Sequence, residues 1–567
     1  MTGYHGAAGA SRLTSRRARA DRQRHTSSWP TRCAVAVLIL QMAIVMLAAA
    51  ARDAPVFDEG THVVAGILNL RDHDLRWNAE HPPLIKALAG LATLGTKVHV
   101  PRDTASYASG DEFAMAHDLL YRGGNDGNRL VWLARLPLIA LTLVFGLVVF
   151  GFAKDLFGTQ GGLIALAVFT LCPTMVAHGH VVHGDVAVAG FLLATMWFLW
   201  RSILRGTPWF LMACLAFGLA LLSKFTALFA IPAIAGFSFW SGLRLANEAK
   251  RGLSAALMRT ACIVLSGVAI VWIGYLAISP HLQFQTHFYD SWAQRTNGVT
   301  AFVIDHLPFP RAYRVGLRFA AAFDQSRTRS AYLLGETYSG GKLAFYPVVL
   351  ALKTPLGALM LWGAGLVFLV GRARRCDVLW ALVPVPLAIG ASALFSGTNI
   401  GIRHIAVVPM FASVVVAAAV SSSGLWRSRV IVMLLLLTGA SVWRAFPDQF
   451  SYVNEAFGGS SNAYKLVADS NVDWGQDLKR LGEYLQKHPE FVPIGLVYFG
   501  TADPSSYGIK FRDLRDSPRD EFIGVVAISV SWLNLAPSRY AWLEEQGALL
   551  DRVGNTILIY HVDQVSG

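Results

Sequence analysis

Between residues 33 and 446 the chain is a succession of apolar stretches, each close to the length of a helix that crosses a bilayer, with cationic residues clustered at every second connection. A hydrocarbon core needs roughly 20 apolar residues per helix. By that measure the sequence predicts eleven spans, at 33–51, 130–152, 160–177, 185–202, 209–223, 225–242, 259–279, 344–370, 378–396, 404–421 and 429–446. A composition that is 54% hydrophobic and 15% charged excludes an ordinary soluble enzyme.

The cations orient the stack. Arg12, Arg16, Arg17, Arg19, Arg22 and Arg24 precede the first span, and Lys154, Arg201 with Arg205, Lys250-Arg251, Arg372 with Arg374-Arg375, and Arg427 with Arg429 follow at alternate connections. All fall on one side, as the positive-inside rule asks of a cytoplasmic face. The net charge of +13 is therefore an orientation signal and not a nucleic-acid footprint. Residues 447–567 hold 10 Lys and Arg against 16 Asp and Glu, whereas residues 1–446 hold 39 against 20. Ala48-Ala49-Ala50-Ala51 has the look of a cleavage site, but the long Arg-rich head favours a retained helix.

Three regions are then exported: 52–129, 280–343, and the tail from 447. In the first, Pro82-Pro83 precedes Leu84–Leu94, too short to cross and read as an interfacial helix. The tail alternates helical patterns at Gly475–Gln486 and Ser538–Gln546 with β-rich runs at Ile494–Phe499, Phe522–Val530 and Thr556–Val562. The expected architecture is an all-α polytopic membrane protein with a small extracytoplasmic α/β domain: a basic cytoplasmic tail at 1–32, a transmembrane domain at 33–446 and the α/β domain at 447–567. The five cysteines lie in or beside apolar segments, and none is in the tail, so no disulfide framework is implied there.

The chemistry-bearing residues sit at the outer edges of these spans. Asp58-Glu59 follows the first span, Glu80-His81 lies in Asn78–Pro83, and Asp185 closes a run containing His178, His180 and His183. Acidic groups near a helix start can simply cap it. Carboxylates distant in sequence yet sharing one membrane face are instead candidates for one site. A histidine metal site at 178–183 matches zinc chemistry weakly, and a divalent ion on Asp58 and Glu80 matches a hard cation better. Lys224, Lys353 and Arg403-His404 are cations at the same face, a set suited to the phosphate of a lipid.

Phe57–His62 with Asn78–Leu84, His183-Gly184-Asp185, Leu222–Thr226 and Gly401–His404 with Pro409 together resemble the C-type membrane glycosyltransferases. That superfamily includes the protein O-mannosyltransferases and the lipid A aminoarabinose transferases, which use polyprenyl-phosphate-linked sugars. The resemblance implies the C-type transferase fold and a donor that is a polyprenyl-phosphate sugar. It also implies an acceptor on protein, lipid or glycan, the bilayer as a partner, and no nucleic acid. Carried over by position, Asp58 would be the catalytic carboxylate, with Glu59 beside it. Asp185 and Glu80 would be further site carboxylates, and Lys224 with Arg403 would meet the lipid phosphate. From the residues themselves, apart from the resemblance, His81, His183, Lys353 and His404 are candidate substrate-binding groups, and Asp58 with Glu80 is the candidate site for a divalent metal ion. Asp469–Asp477 is similar to a bacterial subgroup of these enzymes. A lipid-linked-sugar transporter or flippase is the alternative, but it predicts inverted repeats and midplane charges that the sequence lacks. A non-catalytic scaffold would leave the carboxylates as caps.

Overall fold

The computed structural model describes residues 29–245, 249–284, 286–371, 376–420, 425–516 and 522–563. The arginines expected at 12–24, with Arg372, Arg374 and Arg375, lie outside the described residues, as do the side chains of Lys250, Arg251 and Arg427.

Helices account for the apolar stretches. Six helices among the described residues are long and apolar enough to cross a membrane: Trp29–Arg52, Gly127–Thr170, Asp185–Arg205, Phe225–Leu245, Gly252–Ile278 and Cys376–Leu394. The count is seven if one bent pair is a single span. The protein is thus an integral membrane protein. Gly127–Thr170 joins two expected spans across a break at Gly158 (φ 84°). Thr207–Ser223 and Val407–Val420 are shorter apolar helices, and Leu425–Arg444 covers the last expected segment. Asp185–Arg205 is central, 72% of its apolar window being buried, whereas Trp29–Arg52 and Gly252–Ile278, at 28%, turn most of their apolar surface outward.

The stretch expected as one span at 344–370 is two helices, Phe345–Lys353 and Leu356–Gly371, bent by 115°. Pro355 is the cause: its ring disfavours helical geometry at the preceding residue, and Thr354 is extended (φ −106°, ψ 129°). Lys353 ends the first helix, and its Nζ donates to Phe450 O at 2.6 Å and Asn471 O at 2.5 Å. The short segment expected at 84–94 is a helix, Leu84–Thr93, with Leu91 exposed and Ile85, Lys86 and Ala89 buried toward Glu59–Arg71.

Among the described residues seven strands form two sheets. β1 (Ser330–Leu333) and β2 (Glu336–Ser339) make an antiparallel hairpin, within the stretch 280–343, that the sequence patterns did not announce. The tail holds a mixed sheet of order β4-β3-β5-β7-β6, from β3 (Ile494–Val497), β4 (Phe511–Asp513), β5 (Gly524–Ser529), β6 (Ala548–Val553) and β7 (Ile557–Val562). β3 pairs in parallel with β4 and β5, and β7 antiparallel with β5 and β6. Side chains alternate across a strand. Ile494, Leu496, Val525 and Ala527 accordingly pack on Leu481 and Leu485 of helix Leu478–Lys487, while Val497, Val526 and Ile528 join a cluster with Val349, Leu352, Ile402 and Ile405. The second face of the tail sheet is thus buried against the segments that carry Lys353 and Arg403.

Candidate active site

Asp58 and Glu59 are neighbours with different tasks. Asp58 precedes helix Glu59–Arg71 but makes no side-chain capping bond, so the capping explanation does not hold for it. Glu59 is fully buried. Its Oε1 accepts from Arg135 Nε and Val182 N, each at 2.9 Å, and its Oε2 accepts from Arg135 Nη2 at 2.6 Å and Val56 N at 3.2 Å. With its acceptors filled and its side chain buried, Glu59 is committed to holding the shape of the loop. Sequence reasoning grouped the two because adjacency in the chain does not reveal which side chain turns inward.

Asp185 is not a helix cap either. It is the first residue of its helix, and its carboxylate takes the Lys224 ammonium on Oδ1 and His183 Nδ1 on Oδ2, the latter at 2.9 Å. Gly184 permits this meeting, since a Cβ there would stand 2.6 Å from Ser223 O. Lys224 follows that carbonyl in extended conformation at the end of Thr207–Ser223. A buried ion pair of this kind is costly to break, because removing one partner strands the other charge.

Arg403 closes the group from the far end of the sequence. Its Nη2 lies 3.2 Å from Asp58 Oδ2, and its Cζ stands 4.0 Å from the centre of the Trp474 ring. The Asp58 side chain keeps 28% exposure, against 3% for Asp185 and 8% for Arg403. Asp58 is therefore more open to an incoming molecule than Glu59 or Asp185, as is Glu80, whose side chain keeps 27% exposure.

Glu80 and His81 extend the site. Burial, with Glu112 and Asp58 adding like charge, pushes the Glu80 carboxyl well above the usual carboxylate range. Lys86, whose Nζ donates to the carbonyls of Trp77, Asn78 and His81, is brought by burial down to about 7. His62 and His81 face one another with ring centres 4.8 Å apart. Burial holds both imidazoles neutral; Lys86, His183, Arg403 and Lys224 add a positive field at His62.

The histidines of 178–183 do not converge on a metal. His180 spends one nitrogen on Val176 O at 2.8 Å and the other on Asp53 Oδ2 at 3.1 Å, while His178 and His183 meet edge to face. Asp58 has Arg403 on Oδ2 and Glu80 as its carboxylate neighbour, too few donors for a hard divalent ion. Among the described residues no group of three or more His, Cys, Asp or Glu side chains is placed to hold a metal ion. The expected metal on Asp58 and Glu80 would have these two carboxylates as its only acidic side-chain donors among the described residues.

Lys353 stands apart from the other cations, its ammonium committed to two backbone carbonyls. Two residues unassigned from sequence stand here instead: Trp474, under Arg403, and Arg329, 3.3 Å from Asp469 and within the field of Asp58 and Glu80. Trp474 had a signal in the Asp469–Asp477 segment; Arg329, in a loop with Arg327, had none. Buried polar atoms usually have partners. Here Arg403 Nε, His62 Nδ1, His178 Nδ1, His183 Nε2 and His404 Nε2 have none among the described residues, so donors and acceptors at this site are open to a polar group.

Residues 127–273 match the family model described as Dolichyl-phosphate-mannose-protein mannosyltransferase. The match bears out the resemblance read from the motifs, and it includes His183, Asp185 and Lys224 but neither Asp58 nor Arg403. No curated protein matches the chain in sequence. Among solved structures, the chain is similar to the oligosaccharyltransferase of Archaeoglobus fulgidus in the apo form, at 12% identity and a TM-score of 0.47 over 75% of this chain and 57% of that one. It is also similar to ArnT from Cupriavidus metallidurans in the apo state, at 13% identity and a TM-score of 0.43 over 93% and 98% of the two chains. A third likeness is to AglB from Archaeoglobus fulgidus in complex with an inhibitory peptide and a dolichol-phosphate, at 12% identity and a TM-score of 0.45 over 94% and 74%. The chain thus spans little more than half the length of the first of these.

Proposed function

We propose that this protein is an inverting glycosyltransferase that moves a sugar from a polyprenyl-phosphate carrier to an acceptor hydroxyl on the extracytoplasmic face of the membrane. The observation that carries the reading is the meeting of Asp58 and Arg403 across 345 residues of sequence, a reachable carboxylate beside a cation, over a floor of unpartnered polar atoms. The family match over residues 127–273 supports a sugar donor on a lipid phosphate.

Asp58 accepts the proton of the acceptor hydroxyl as its oxygen forms the new bond to the anomeric carbon, help worth roughly 10² to 10⁴ in rate. The bond from that carbon to the phosphate oxygen breaks, and its electron pair leaves with the lipid phosphate. Arg403 and Lys224 meet the growing charge, which is stabilised most where donors are fixed in advance. Asp185 and His183 hold Lys224 in place. Glu80, bound to Asn78 at 3.3 Å, and His81 stand where a sugar hydroxyl would bind, and His404 lines the same floor. The alternating cations of the sequence support a cytoplasmic N-terminus, with the site and the tail from 447 outside.

The test is mass spectrometry of lipid-linked sugars and envelope glycans from cells with the protein, without it, and with Asp58→Asn. A missing sugar together with an accumulated carrier, in both the deletion and the variant, is the expected result. Unchanged glycans and carriers in the deletion strain would exclude the transferase.

A further inference from the structure

One seven-residue stretch of the tail touches both halves of the reacting pair. On the Arg403 side, Ser470 Oγ donates to Ile400 O at 3.0 Å and Asn471 Oδ1 accepts from Ile402 N at 2.9 Å. Gly401 lies so close that a Cβ would stand 2.1 Å from Ser470 Oγ. On the Asp58 side, Phe57 N donates to Trp474 O at 2.8 Å and Ala54 N to Gln476 O at 2.9 Å. The main chain immediately before Asp58 and that flanking Arg403 are therefore registered on the same short segment, 470–476.

Trp474 carries the registration into side chains. Its indole is 2% exposed and lies under the Arg403 guanidinium, whose Nε has no hydrogen-bond partner among the described residues. Stacking on the indole and the contact with Asp58 orient that guanidinium, and a long arginine side chain has many rotamers to lose. The same indole meets His183 edge-on at 5.3 Å, and His183 holds Asp185, the partner of Lys224. The segment is itself fixed. Asp473 accepts from Gly475 N and Ser531 N, Gln476 accepts from Trp474 N, and Lys353 donates to Asn471 O. Lys353 thus has a task in the site's framework although it does not enter the site.

We infer that the tail segment 470–476 is a built-in template of the active site, and that Trp474 is a positioning residue fixing the Arg403 guanidinium against Asp58 and the donor phosphate. The inference rests on the reading of Asp58 and Arg403 as the reacting pair. It gives the tail a role in transfer itself, with no requirement that the tail touch the sugar.

The test is a double-mutant cycle on the full-length protein in lipid vesicles, with a polyprenyl-phosphate sugar donor and thermal stability measured alongside. Trp474→Leu should lower kcat/KM for the donor by about tenfold or more, and Trp474→Phe, which keeps a π face, by no more than about threefold. In an Arg403→Ala background Trp474→Leu should cost less than about twofold, because the group it positions is gone. Trp474→Met, apolar and without a ring, replaces the leucine variant if that one does not fold. Losses that add in full across the cycle would overturn the positioning role while leaving the transferase standing. Full activity of Asp58→Asn would overturn both, because the pair to be positioned would not be the reacting one.

Discussion

Arg135 grips Glu59 with both arms of its guanidinium, Nε to Oε1 at 2.9 Å and Nη2 to Oε2 at 2.6 Å, and closes its remaining donors on the carbonyls of Ala50, Asp53 and Ala54. Both side chains are buried. This pair fixes the turn that delivers Asp58 to the site. Glu59→Gln should therefore destabilise the protein by roughly 3–5 kcal/mol, the usual cost of stranding a buried charge. Thermal unfolding in detergent checks it. A variant that folds as well as the wild type yet transfers no sugar would return Glu59 to the chemistry.

Asp58→Asn keeps the shape and removes the carboxylate proposed to accept the proton. Turnover should fall by about 10² to 10⁴ with a smaller stability loss than Glu59→Gln, since the side chain is partly exposed and caps nothing, although its charge pairs with the largely buried Arg403. Single-turnover kinetics with purified donor measure the loss.

Arg403 and Lys224 should fail differently when removed. Lys224→Ala strands Asp185, 3% exposed, so it should lose stability as well as donor use. Arg403→Ala leaves Asp58 with access to water and should lose donor use with smaller structural cost. Arg403→Lys should restore little, because an ammonium does not reproduce the guanidinium's stacking or its fork. Donor kinetics beside melting temperatures for the three variants separate these outcomes; equal melting temperatures for Lys224→Ala and Arg403→Ala would contradict the assignment.

The tail should loosen as pH rises. Burial pushes the Asp473 carboxyl up to about 7 against the hydrogen bonds of Ser531 and Gly475, and pushes Asp477 up to about 7 against the pull of Arg480. An unfolded aspartate titrates near 3.9. Between about pH 4 and pH 7 the folded tail thus holds protons that the unfolded tail has released. The contribution to stability is complete below pH 4, is lost as pH rises through about 7, and is flat beyond. Hydrogen exchange across Gly524–Ser529, corrected for intrinsic rates, should be faster at pH 8 than at pH 6. Asp473→Asn should flatten part of that difference, and exchange independent of pH in the wild type would rule the account out.

Sidedness has a direct readout. In intact cells a membrane-impermeant thiol reagent should label Ser505→Cys, on an exposed turn of the tail, and should leave the exposed native Cys376 unlabelled. Labelling of Cys376 from outside would invert the orientation.

Apolar length and cation spacing made the membrane character legible, because a helix in lipid must satisfy its own backbone and be apolar along its length, both of which are local properties. The strands β3, β5 and β7 were legible for a similar reason, as short β-rich runs. The bend at Pro355, the hairpin Ser330–Ser339 and the length of each crossing were less so, since they depend on what packs alongside. Motifs named Asp58, Asp185, Lys224 and Arg403, but a motif gives residue types and not partners. Tertiary structure decided that Glu59 is spent on Arg135, that Lys353 serves two carbonyls, and that Trp474 from the tail lies under Arg403. Such contacts join residues tens to hundreds of positions apart, and their geometry follows from the packing of the whole chain, which no local pattern encodes.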